Sequence, residues 1–259
     1  MLSTLMFGEA KSKTIMANYT FYFGGFSILQ AETTIELRRK SYKVVSKSKT
    51  DGLLNVFFEW SGQATSKGNF LEWRSVPSLH QNVGKRAGNV RKTVLSYESN
   101  GEIASSDIQP PPDLSEVFPI PSGLLKETID PLTAIVQINR RLEHGMGCNA
   151  TFPVFDGRRR YDLTLADRGE LTLKQTPFSV FKGKALVCAI NTNMLGGHKR
   201  EKSKYTTTSG EKLVYVGRPL KDGPILPVAL MVETAFGTLT GHLVSIKKSN
   251  SLLTPRFKK

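Results

Sequence analysis

Apolar and polar residues alternate along much of this chain, the period-2 pattern of a half-buried β-strand. Thr33, Ile35 and Leu37 alternate with Thr34, Glu36 and Arg38, and Tyr161, Leu163 and Leu165 with Asp162, Thr164 and Ala166. Val228, Leu230 and Val232 precede a further β-prone run through Leu239, Leu243 and Ile246. Asp51-Gly52, Asn100-Gly101, Asp156-Gly157, Ser209-Gly210 and Asp222-Gly223 punctuate these runs as turn signals. The pattern predicts a mainly β chain, a curved antiparallel sheet forming a barrel-like or spiral body.

One stretch follows the helical period instead. Asp130-Pro131 reads as an N-cap followed by proline at the first helical position. Leu132, Ile135, Val136 and Leu142 then fall near helical spacing, Arg140, Arg141 and Glu143 make the polar face, and Gly145 can stop the helix. One principal helix is predicted over residues 131–143, its apolar side facing the concave sheet. Upstream, Pro110-Pro111-Pro112 and then Pro119 and Pro121 hold the chain extended and keep it out of a central strand. That stretch reads as a crossover between two halves of the sheet rather than as a docking peptide.

Composition changes the picture in two ways. Two Cys and four His exclude a zinc ribbon, a four-cysteine iron–sulfur site and a cysteine-dense mini-protein, and no metal or cofactor is expected. A surplus of 36 Lys and Arg over 22 acidic residues gives a net charge of +14, which suits an acidic partner. The surplus lies outside residues 105–135, where five carboxylates meet Lys126 alone. No run approaches the ~18 apolar residues of a membrane helix. Residues 1–16 read as a flexible N-terminus or the remnant of a secretory signal, with Gly8-x-Ala10 as the small-x-small end. Residues 17–247 read as one β domain and 248–259 as a basic tail. Cys148 and Cys188 alone favour reduced thiols; the signal-like start shifts that balance towards a bridge worth about 4 kcal/mol on the chain-entropy model.

Nothing local supports catalysis. There is no Gly-x-Ser-x-Gly elbow and no phosphate-binding loop, and Gly145-x-Gly147-x-x-Ala150 follows a helix where a dinucleotide fingerprint must follow a strand. The most unusual string is Val154-Phe155-Asp156-Gly157-Arg158-Arg159-Arg160-Tyr161-Asp162-Leu163. As structure, it is a hairpin turn with solvated arginines that Asp156 or Asp162 neutralise. As a site, strand alternation would put Arg158 and Arg160 on one face, able to fork onto carboxylate or phosphate oxygens.

These residues carry a resemblance. Pro110 to Asp113, Thr128 to Ala134, Cys148, Val154 to Leu163, Cys188, Gly197-His198-Lys199, Leu226-Pro227-Val228 and Thr234 to Thr238 resemble the domain-of-unknown-function family 3108 (DUF3108), in its alphaproteobacterial form. Tyr22 to Phe26, leading into Ala31-Glu32, is similar to that family's opening hairpin. The resemblance implies an exported, periplasmic β-rich protein with a cleaved signal and a Cys148–Cys188 disulfide, and it implies no activity. The N-terminus is shorter than the family's, so a truncated signal or a misplaced start codon is expected. Asp156, Arg158, Arg160, Tyr161, His198 and Lys199 are the candidate ligand-binding residues.

The leading expectation is a non-enzymatic envelope protein binding a lipid, lipopolysaccharide, another anionic envelope polymer or a partner protein. An alternative is a hydrolase or transferase acting on cell-wall or lipid polymers through Asp130, Asp156 and Asp162. A second is a cytosolic nucleic-acid binder, although no RNA- or DNA-reading motif accompanies the charge.

Overall fold

The computed structural model describes residues 13–201 and 210–249. Seven strands come first: β1 (Lys13–Phe23), β2 (Phe26–Leu37), β3 (Ser41–Thr50), β4 (Trp60–Leu71), β5 (Arg74–Arg86), β6 (Asn89–Tyr97) and β7 (Ile103–Gln109). Helix α1 (Gly52–Phe57) lies between β3 and β4, and α2 (Pro131–Glu143) follows β7. Six more strands follow among the described residues: β8 (Ala150–Phe155), β9 (Arg160–Leu173), β10 (Gly183–Gly196), β11 (Lys212–Gly217), β12 (Leu226–Thr234) and β13 (Gly237–Ser249).

All thirteen strands form one antiparallel sheet in the order β7-β6-β5-β4-β3-β2-β1-β13-β12-β11-β10-β9-β8. The chain builds outward from β1 to one edge, crosses over to the other edge at β8, and returns until β13 pairs with β1. The mainly β, curved and barrel-like expectation holds, and the ladder itself is not closed. The proline segment is the crossover. β1 starts at Lys13 and β13 ends at Ser249, so the sheet reaches into both the N-terminal segment and the tail expected outside it. Ser209 falls outside the described residues, and Asp51-Gly52 opens α1 instead of a hairpin.

Packing brings the two edges together where hydrogen bonding does not. Phe155 of β8 packs with Leu95 and Tyr97 of β6, and Ile103, Ile108, Ile120 and Leu125 surround them. Ile129 accepts from the Phe155 N–H at 3.0 Å and donates to the Pro153 carbonyl at 2.9 Å, covering edge strand β8 with the crossover chain. The turn at Gly157 approaches β6 so closely that a Cβ there would collide with the Thr93 side chain, and its φ of +91° favours glycine independently.

α2 lies within the curve of the sheet and touches both halves. Val136 packs with Ile15, Ile35, Tyr42, Val44 and Leu226. Ala134 and Leu142 pack with Phe152, Val154, Leu165, Val216 and the Cys148–Cys188 pair. Fully burying a Val or Leu side chain contributes about 1.5–3 kcal/mol. Cys148 and Cys188 are bridged, with Cα atoms 5.7 Å apart, tying the chain just after α2 to β10.

Candidate functional site

The N-terminus of α2 sits on a buried polar cluster. Asp130, fully buried, accepts from the backbone N–H of Leu132 at 3.0 Å and of Thr133 at 2.9 Å, the expected cap. The same carboxylate accepts from Ser66 Oγ at 2.6 Å and Thr133 Oγ1 at 2.5 Å, and lies 3.2 Å from His80 Nδ1. Tyr42 reaches Thr133 Oγ1 at 2.8 Å. Burial works to raise the Asp130 carboxyl, but the hydrogen bond and charge of His80, with the Ser66 and Thr133 hydroxyls, outweigh it and hold the group below its ordinary value. Burial, and then the Asp130 charge, pushes the Tyr42 hydroxyl far above its usual range.

Ser66, His80 and Asp130 are residue types of a nucleophilic triad, and sequence reasoning did not bring them together. Their geometry is not that of a triad. Ser66 Oγ lies 2.9 Å from His80 Nδ1, the same nitrogen that faces Asp130, so the ring does not relay between hydroxyl and carboxylate. Ser66 and His80 are almost fully buried. The cluster anchors a helix. The carboxylates of the enzymatic alternative are likewise each engaged separately: Asp156 accepts from the Arg158 and Arg159 N–H groups at 2.8 and 2.7 Å, and Asp162 pairs with Arg160 at 2.7 Å.

The arginine string works at the seam between sheet edges. Residues 156–159 form a turn held by the Asp156 carboxylate, so strand alternation does not operate at Arg158 and Arg159, contrary to the expected two-faced display. Arg158 donates to the Gln109 and Pro110 carbonyls at 3.0 and 2.7 Å, linking this turn to the end of β7. Arg160, only 6% exposed, donates to the Leu124 carbonyl at 2.8 Å as well as pairing with Asp162. Tyr161 packs at the margin of the Cys148–Cys188 core, and burial pushes its hydroxyl up to about 12. His198 stacks on Phe118 at 4.8 Å, and Lys199 faces Glu116 at 4.0 Å. All six candidate residues thus touch or adjoin the stretch from 109 to 125 or the β8–β9 turn.

The open volume lies elsewhere. Between α2 and the concave side of β1–β3 and β9–β13 is a cavity of about 860 Å³. Leu132, Ile135 and Ile138 line it from the helix; Phe21, Thr33, Ile35, Leu163, Ile190, Val214 and Leu230 are among its walls. None of the six candidate residues is part of this lining. Val136 and Leu142 are buried as expected, but Ile135 is 42% exposed, because its side chain borders this space. Lys13, Arg38, Arg39, Arg140 and Glu143 also line it, making a predominantly cationic rim. Glu143 is engaged, accepting from the Ile225 N–H at 2.6 Å and pairing with Arg218 at 2.6 Å. Arg140 lies 4.3 Å over the Phe70 ring and donates to the Glu72 carbonyl.

The family model for DUF3108, described as a protein of unknown function, matches residues 18–244. The chain belongs to the DUF3108 family. No curated protein matches this DUF3108 chain. Its fold is similar to that of the crystal structure of a β-barrel-like protein of domain of unknown function DUF1849 from Brucella abortus. That match has 10% identity and a TM-score of 0.51, covering 93% of this chain and 99% of the other. A DUF1329 family protein from Desulfovibrio piger, also 10% identical, aligns over 93% of this chain and 85% of its own with a TM-score of 0.21.

Proposed function

We propose that this chain is a non-enzymatic cell-envelope protein that holds an apolar ligand, an acyl chain carrying an anionic end, between α2 and the sheet. The cavity carries the reading: about 860 Å³ lined largely by aliphatic side chains, the size and lining of a small-molecule pocket. Lys13, Arg38, Arg39 and Arg140 at its rim suit a carboxylate or phosphate headgroup, and the apolar walls suit the chain behind it. The engaged carboxylates and the non-relaying Ser66–His80–Asp130 geometry support binding over hydrolysis. The Cys148–Cys188 bridge and the signal-like start support an oxidising compartment, the periplasm. Cell-wall polymers and partner proteins offer fewer matching features to an aliphatic interior.

Native mass spectrometry of the protein isolated from fractionated cells tests this reading. A periplasmic chain carrying one lipid-sized adduct, released by organic solvent, is expected. A cytosolic chain, or one that stays ligand-free after incubation with fatty acids and lysophospholipids, overturns it.

A further inference from the structure

The ends of β4 and β5 remote from α2 carry a second feature. Three neighbouring connections emerge there: the β1–β2 turn, the β3–β4 connection with α1, and the β5–β6 turn. Each shows apolar side chains to solvent. Phe26 is 66% exposed, Leu53 67%, Val56 77%, Phe57 86% and Val90 54%. α1 buries none of its residues, so the core does not account for its Leu-Leu-Asn-Val-Phe sequence. Ser27 holds the Asp51 carboxylate at 2.5 Å, which places the start of α1 beside Phe26. Exposed apolar residues also occur singly elsewhere, as at Leu71 and Leu114, and are ordinary; five of them grouped on three adjacent tips mark an interaction surface.

Cations stand directly behind these tips. Lys49 of β3 and Lys85 of β5 flank Ser61 in one cross-strand row, and Arg86, Arg91 and Lys92 belong to the β5–β6 hairpin. Lys47, Lys49, Lys85 and Lys92 line a groove of about 1100 Å³. Arg86 lies 4.0 Å over the Phe58 ring. The nearby carboxylates are fewer: Asp51 is held by Ser27 and Gln30, Asp107 faces Lys92 at 3.5 Å, Glu32 lines the same groove opposite Lys47, and Glu59 is exposed. Apolar tips backed by cations match the layering of an anionic bilayer, with phosphates above hydrocarbon.

We propose that this end of the molecule docks on an anionic lipid bilayer. Phe26, Leu53, Val56 and Phe57 enter the boundary between headgroups and acyl chains, and Lys49, Lys85, Arg86, Arg91 and Lys92 face the phosphates. Co-sedimentation of the full chain with vesicles tests it, comparing phosphatidylcholine alone with phosphatidylcholine containing about 30% phosphatidylglycerol. The wild-type chain should bind the anionic vesicles selectively, and added salt should release it. Leu53→Ser/Val56→Ser/Phe57→Ser should lower binding by about tenfold or more with the melting temperature unchanged, because these side chains leave water only on docking. Lys85→Glu/Arg86→Glu should weaken binding by about fivefold or more per cation. Equal binding to both vesicle types, no binding by the wild-type chain, or unchanged binding by the variants overturns the proposal. A lipid-free dimer in sedimentation velocity that the triple substitution dissolves, with vesicle binding intact, assigns the tips to a second copy and overturns it as well.

Discussion

On the side of α2 turned towards β4 and β5, Asp130, Thr133 and Gln137 are buried and hydrogen-bonded to protein. On the side turned towards β1–β3 and β9–β12, Leu132, Ile135 and Ile138 border open volume. A buried polar group is costly unless its partners sit at defined positions, so the first side fixes the axial position and rotation of the helix. Aliphatic contacts are non-directional and tolerate unfilled space, so the second side leaves room for a ligand without loosening the first. One helix can therefore be a rigid anchor and the wall of a binding cavity.

The largest way to break this arrangement is at the covalent tie beyond the helix. Reducing Cys148–Cys188, which closes a 40-residue separation, should destabilise the fold by about 4 kcal/mol, read in denaturant unfolding with and without reductant. Asp130→Ala comes next. A solvent-facing cap is worth about 1 kcal/mol. Here the substitution also leaves Ser66, His80 and Thr133 buried without their shared acceptor, so a loss of about 3 kcal/mol is expected. The pH dependence follows from the sign of the shift. Because folding holds the Asp130 carboxyl below its unfolded value, its contribution is complete above about pH 4 and is lost as pH falls through the folded pKa. Asp130→Asn should flatten that acid limb in melting curves.

Gln137→Ala tests the anchored side at the next turn. Its carbonyl accepts from the Ser75 N–H and its amide donates to the Trp73 carbonyl at 3.0 Å, so its removal should cost about 2 kcal/mol. The smallest effect on stability belongs to the other side. Ile135→Ala should cost less than about 1 kcal/mol, far under the usual 2–5 for a packed isoleucine, because part of the side chain faces open volume. A cost like that of a core residue would show the cavity to be closed in solution.

Much of this fold was legible locally. The alternation at 161–165 and 33–37 lies within β9 and β2, and Asp130-Pro131 announced both the start of α2 and its cap, because strand period and capping chemistry are short-range properties. The candidate site was far less legible. Ser66 and Asp130 are 64 positions apart and meet only because the crossover returns α2 to β4. The curve was read from the strand pattern, but the space left between it and α2 depends on where distant strands hold the helix. Ile135 was expected to be buried against the concave sheet and instead borders that space. The arginine string stood out in sequence for a reason unrelated to ligand geometry: the seam needs donors for the Gln109, Pro110 and Leu124 carbonyls.

The central claim is that the space beside Ile135 takes an apolar ligand. Its most direct test is fluorescence titration of a naphthalene dye and its displacement by a fatty acid, with wild-type protein and Ile135→Trp. The account predicts saturable one-to-one binding by the wild-type chain, displacement by the fatty acid, and loss of both in Ile135→Trp at an unchanged melting temperature. Undiminished dye binding and displacement in a folded Ile135→Trp variant would contradict it.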